Sequence, residues 1–517
     1  MKYNLIDEAW IPVTIAARQE KVGLAEAFQR ADEIVAVGGD SPPVKVALHR
    51  LLFSVFMAAV GRDGARWVER WQAHTVPANE ILAYLERHRN RFDLLDTKAP
   101  FYQAPGLATL AVEHPEKVKD VGILVPSVAS ERNKKTLFNH TTPDRPVQLT
   151  LDASARWLVT LQAYDLPGLK TGIGLGAQAR ASAKVSPLCG AIHVTPVGRT
   201  FAETLLLNCV EVRDWESGND RPAWERPPVG IEPKERAPEG TLDWLTWQSR
   251  RVLLIGDDGR VDRVVITPGD HHAPRQRWEC EPYVPFRRNE AKTGDTYNPI
   301  RLSTSRQAWR DLYSIIAVTG SEAGAAIIRQ LVRRLDRLGL DPADEILTVE
   351  VGGTITDQKH QKVLDWRSDR FVLPLALAAN PLAAETLRAG LDLAKAVARS
   401  IRDAVRMATT TEKAGHEGDG WANEVEQTFW ARLAAVFPAF TSTLGSGDLL
   451  EAADSWRDHV RRSAQMSIRP VDLAGAAPGN WERWAKGLAR AESRSPYDAF
   501  ADEMQGVRHA LTEEVQE

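Results

Sequence analysis

The feature that most constrains this chain is a change of texture near Phe371. Beyond it the sequence is rich in Ala, Leu and Arg at helical spacing, whereas before it short β-branched runs alternate with helical pieces and Gly, Pro and Asp clusters. A pattern that switches in this way does not belong to one uniform layer. The reading is therefore mixed, α+β: a large irregular α/β domain over residues 1–370, followed by a helical domain over 371–517.

Four helical stretches stand out in the second part, at 382–409, 421–440, 447–466 and 480–514, separated by Gly, Pro or Ser and with an interruption at Ser495 and Pro496. Short links between such helices favour antiparallel neighbours, so a C-terminal four-helix bundle is expected. In the first part, residues 5–14 read as a strand broken by Pro12. Residues 44–60 read as a strongly apolar helix, with Pro42 and Pro43 just before it, where a missing backbone donor costs least. From 120 to 300 the pattern is strand and loop, with β-rich pieces at 251–255 and 263–267, and a loop-rich insertion at 210–240. A helical pattern over 305–338 then precedes a turn centred on Gly353 and a strand-like segment at 363–366.

With 517 residues and 43% hydrophobic content, the chain can bury a large core and a second domain. Its formal net charge of -4 supplies no global field for nucleic acid, so any such contact has to come from local clusters of Arg and Lys. Three widely spaced cysteines, Cys189, Cys209 and Cys280, argue against a disulfide framework and suit a reducing cytoplasm. Neither a leader-like segment nor an uncharged stretch of spanning length is visible, which leads to the expectation of a cytoplasmic protein without a membrane partner.

Several segments invite a chemical reading. Residues 168–176, GLKTGIGLG, look superficially like a phosphate-cradling turn, but they lack the Lys-Ser/Thr pair and full dinucleotide spacing, and Pro167 stands where a strand should end. A backbone-exposing loop suits them better. Residues 131–140 join Lys134 and Lys135 to Phe138, Asn139 and His140, a set that can meet phosphates, stack and read a base edge, or simply form a solvated charge run before a core Phe. Lys395, Arg399, Arg402 and Arg406 recur at helical spacing and share one face, as do Arg329, Arg333 and Arg337; such rows solvate a helix or, facing DNA, make binding steeply salt-dependent. His271, His272 and Cys280 lack the paired thiols of a structural zinc site, and the sequence holds no nucleophile elbow, HExxH or Asp-rich cluster. No metal, no cofactor and no catalytic residue are expected.

In order along the chain, NLIDEAWIPV (4–13), RFDLLDTKAPFYQ (91–103), FNH (138–140), GLKTG (168–172), LTWQSRRVLL (245–254), EPYVPFRR (281–288), AWRDL (308–312) and VGGTITDQKH (351–360) resemble the CasA family, the large subunit of the type I-E CRISPR surveillance complex, Cascade. The resemblance implies a non-catalytic protein that recognises the protospacer-adjacent motif in double-stranded DNA, promotes unwinding and recruits a helicase-nuclease. It places Phe138 and Asn139, with His140 as the alternative partner of Phe138, in the loop that meets the guide-loaded complex and motif DNA. Gly168 and Lys170 fall in the glycine loop facing the minor groove. Gln358, beside Lys359, falls at the family's glutamine wedge.

The family's lysine finger has no aligned counterpart here; Arg277 is the candidate within 275–288. By the same resemblance the helical bundle meets the small subunits and the displaced strand. The chain departs from the family in having Pro167 and few glycines before Gly168, which leaves motif preference open, and in lacking the cysteine pairs that hold zinc in some relatives. Two competing readings are an α/β enzyme that binds a nucleotide at 168–176 and a structural scaffold that touches no DNA.

Overall fold

The computed structural model describes residues 2–126, 147–173, 180–272, 277–289, 297–317, 322–409, 417–468 and 494–514. The chain forms two compact units. The first gathers Met1–Ala308, Thr319–Arg334 and Thr348–Phe371, and the second gathers Trp309–Val318, Leu335–Leu347 and Val372–Glu517.

The first unit is built around the helix Pro42–Val60, with two prolines in its first turn and a nearly continuous set of buried side chains. It is long and apolar enough to span a membrane, but most of it is buried within the protein. Its two formal charges are neutralised inside the unit: Lys45 pairs with Glu350 at 2.6 Å and Arg50 with Glu281 at 2.7 Å. This is the core helix of the unit, packed on the helices Ala78–Arg87 and Leu151–Tyr164.

Small antiparallel sheets surround it. The strand Ile11–Ile15 lies between Arg18–Val22 and Ile34–Val37. It starts later than the reading of 5–14 suggested. Pro12 is accommodated inside it because pairing with Ile34–Val37 begins only at Val13, so the missing N–H breaks no bond on that side. The β-rich pieces at 251–255 and 263–267 form one hairpin, Arg250–Asp257 with Arg260–Pro268, turned at Asp258 and Gly259, both with positive φ.

Two expectations need correction. Gly353 does not centre a turn but lies within the strand Ile346–Thr356, because a Cβ there would stand 2.6 Å from the carbonyl oxygen of Ala191. The glycine serves close backbone approach. Nor is 305–338 one helix. It divides into the turn Ala308–Asp311, the helix Leu312–Ile316, the two-residue strand Glu322–Ala323 and the helix Ala326–Leu338. Trp309–Val318 and the start of the last helix belong to different compact units, so one hydrophobic period cannot serve both.

In the second unit the helix Pro381–Thr409 packs against Glu417–Gly445, Leu449–Ile468 and Arg494–Glu514, and the last two also touch. An aromatic core holds them: the Phe440 and Trp456 rings stack at 4.5 Å, and Trp309, from the earlier segment, lies 4.4 Å from Phe437. Glu417–Gly445 runs past Pro438 and beyond the sequence-predicted end at 440. Much of the expected segment 480–514 lies outside the described residues.

Candidate nucleic-acid interface

In the first unit, strand Ile346–Thr356 pairs with His193–Val197 on one side and with Val363–Pro374 on the other. Only residues 357–362 connect the last two strands, too few for a parallel crossover, so they form a hairpin. Asp357 closes its tip. Its carboxylate accepts the N–H groups of Gln361 at 2.6 Å and Lys362 at 2.7 Å, and its backbone oxygen accepts from His360 at 3.0 Å. Those donors, the Lys362 N–H first, hold the Asp357 carboxyl below the ordinary carboxylate range. Gln358 and Lys359 are exposed at the tip.

The glycine segment takes a form the sequence reading did not give it. Gly168–Thr171 is a strand paired with Arg180–Ala183, in register Gly168↔Ala183 through Thr171↔Arg180. A nucleotide site needs a strand leading through a glycine turn into a helix N-terminus. Here Gly168–Thr171 pairs antiparallel with Arg180–Ala183 and no described helix follows between them, so the nucleotide-binding alternative finds no such scaffold among the described residues. Gly168 is exposed with φ 132, a conformation that other residues rarely adopt, and nothing stands within 4 Å of its Cβ position. Lys170 is already engaged, its Nζ lying 2.8 Å from Asp165. Asp165 also accepts from the buried Arg250, whose guanidinium donates to the carbonyls of Leu166 at 2.9 Å and Lys184 at 3.0 Å. Burial alone would raise the Asp165 carboxyl, but Arg250 and Lys170 hold it below its usual value. The base of this hairpin is therefore pinned by an ionic cluster.

A groove of about 580 Å³ in the same unit is lined by Arg287, Arg288, Asn289, Asn298, Arg301 and Arg306, with Pro299 and Ile300 beneath. Strand pairing assembles it. Phe286, buried, anchors the strand Phe286–Arg288 between Tyr297–Pro299 and Glu322–Ala323, setting Arg287 opposite Asn298. Arg287, Arg288 and Arg301 are exposed, and Arg306 is half-buried. Sequence reasoning missed this cluster, although the FRR at 286–288 is its visible trace. Arg277, the residue proposed from that neighbourhood, opens the short helix Arg277–Cys280, and its side chain lies outside the described residues.

Hairpin and groove share a frame. Arg367, on the strand Val363–Pro374, donates to the carbonyls of Ser303 at 3.2 Å and Arg306 at 2.9 Å. Asp369 on the same strand accepts from the Ala308 N–H at 2.8 Å and pairs with Arg367 at 3.3 Å.

The basic row of the helical unit is largely balanced by acid. Lys395 pairs with Asp392 at 3.0 Å, and Arg402 forms a short ion pair with Glu426 from the next helix, while Arg399 and Arg406 are exposed. In the other row Arg329 is mostly buried, donating to the Gly324 carbonyl at 2.6 Å, and burial with Arg213 and Arg333 nearby lowers its pKa to about 10. Lys134, Lys135, Phe138, Asn139 and His140 lie outside the described residues. Among the described residues no three His, Cys, Asp or Glu side chains gather where a metal could bind.

Known proteins share both the sequence and this architecture. The family of CRISPR-associated protein Cse1 matches residues 4–467. A CasA/Cse1 protein of Thermus thermophilus is 32% identical over 516 residues, covering 95% of this chain and 96% of that one. The crystal structure of Thermobifida fusca Cse1 superposes with a TM-score of 0.82 at 25% identity, covering 96% of this chain and 98% of that chain. A chain from a CRISPR RNA-guided surveillance complex shares the fold at a TM-score of 0.78 and 18% identity, covering 95% and 100%. A match across nearly the whole length, at this identity, settles the family: the chain belongs to the Cse1/CasA group of CRISPR-associated proteins.

Proposed function

We propose that this chain is the large subunit of a type I-E CRISPR RNA-guided surveillance complex, that it recognises the protospacer-adjacent motif in duplex DNA, and that it starts strand separation there and recruits a helicase-nuclease. The observation that carries the reading is the tip at 357–362, exposed, polar and closed by its own hydrogen bonds, with Gln358 at its end. A tip already formed in the free protein spends no binding energy on ordering itself. Base stacking costs about 1–2 kcal/mol per step to break, and the growing guide-target heteroduplex replaces what is lost, so a small wedge suffices.

The strand at Gly168, exposed and with no side chain in the way, suits approach to the minor groove, where the hydrogen-bond pattern is degenerate and recognition is tolerant and shape-based. Phosphates are then met by the groove of Arg287, Arg288, Arg301 and Arg306, while base sequence is left to the guide RNA. Lys134, Lys135, Phe138 and Asn139 serve the contact with the guide-loaded partners. The helical unit meets neighbouring subunits and the displaced strand, with Arg399 and Arg406 as its exposed cations. Recognition and opening fall to this chain, and cutting to the recruited partner. In the guide-loaded complex, Gln358→Ala is expected to slow opening of duplex targets and leave binding to pre-opened bubble DNA intact. Equal loss on both substrates would remove the wedge role.

A further inference from the structure

The hairpin tip rests on a contact that no sequence motif marks. Gly190 has φ 65, and a Cβ there would stand 2.5 Å from Cε1 and 2.8 Å from Nδ1 of His360, and 3.0 Å from the hydroxyl of Thr356. His360 is itself in the left-handed region, φ 53, uncommon for any residue but glycine and costly unless its surroundings hold it there. Its Nδ1 lies 2.8 Å from Thr356 Oγ1 and 3.9 Å from Cys189 Sγ. One imidazole thus joins the last residue of the incoming strand, the turn at the tip and the bare backbone of a buried segment.

We propose that His360, seated on Gly190, is the positioning residue that fixes the direction in which Gln358 and Lys359 project, and thereby sets how effectively the tip opens a base pair. The inference rests on the reading of Gln358 as the wedge. A wedge has to resist the push of the stack it separates. The hydrogen bonds around Asp357 are exposed and can exchange with water, so they hold the shape of the tip but not its bearing on the protein. The ring over Gly190 cannot leave without uncovering a contact that only a glycine permits. The same buried segment is gripped on its other side, where the Ala191 carbonyl packs on Gly353 of the hairpin strand.

A nitroxide at Lys359→Cys reads the anchor directly in the full chain, since Cys189, Cys209 and Cys280 are buried and the new thiol is exposed. The expected spectrum is broad in the otherwise unaltered chain and sharpened by His360→Ala or Gly190→Ala. His360→Asn, which tolerates positive φ and can still reach Thr356, keeps it broad. In the guide-loaded complex, 2-aminopurine at the first base pair beside the motif reports opening. His360→Ala is expected to slow opening about tenfold on duplex and leave a pre-opened bubble unaffected, with Gly190→Ala adding nothing in the His360→Ala background.

A broad spectrum in His360→Ala overturns the inference, as does a sharpened one accompanied by unaltered opening while Gln358→Ala is slow. Sharpening in His360→Ala with normal opening by Gln358→Ala overturns the wedge reading instead.

Discussion

Replacing Arg287, Arg288 and Arg301 together with Ala is the sharpest test of the basic groove. All three are exposed, and none carries the core of its sheet, which rests on Phe286 and Ile300, so the fold is expected to survive. Arg306 is left in place because its side chain is half-buried. Each phosphate neutralised on B-DNA contributes about 0.9 to the slope of log affinity against log salt, so three lost contacts reduce that slope by up to about 2.7. Between 50 and 200 mM salt, the affinity of the unaltered complex should then fall by about 40-fold more than that of the triple variant. Fluorescence anisotropy of the guide-loaded complex on a motif-bearing duplex, titrated with salt, measures the difference. Binding weakened by the substitutions with an unchanged slope would refute the argument, because the arginines would then act through structure and not through phosphate charge.

Two other expectations follow from particular contacts. Glu281, fully buried, accepts Arg50 with both oxygens and the Trp244 indole N–H at 2.9 Å, so Glu281→Ala strands a guanidinium in the core and should cost about 3–5 kcal/mol in urea unfolding. Arg50→Met with Glu281→Leu should recover most of that loss, and a double variant as unstable as the single one would contradict the account. Phe138→Ala and Asn139→Ala should each reduce co-purification with the guide-loaded partners; undiminished recovery of both would take that loop out of the site.

How far the sequence could be read depended on how local the deciding physics was. The helices beyond Phe371 were legible from their run of Ala, Leu and Arg at helical spacing, and the strands at 251–255 and 263–267 from their β-branched residues. Gln358 was placed at a hairpin tip by the family resemblance, since the local pattern pointed to a turn at Gly353 instead. Gly353 misled because glycine serves both turns and close approach, and the carbonyl of Ala191 that decides between them comes from about 160 residues away.

Gly168 misled for the same reason, its strand being defined by pairing with Arg180–Ala183. The row at Lys395 to Arg406 looked basic because Glu426, which neutralises Arg402, sits on another helix. Conversely, the Arg groove was invisible because its members are gathered from 287 to 306 by strand pairing and follow no helical spacing.

Arg367 carries a mechanical consequence. By tying the strand that leads away from Gln358 to the carbonyls of Ser303 and Arg306, it would make the groove and the tip, in the roles proposed for them, parts of one lever. If a duplex is held at the groove as proposed, tension on it reaches the tip through the 303–306 turn and Arg367. Grip and leverage would then rise or fall together.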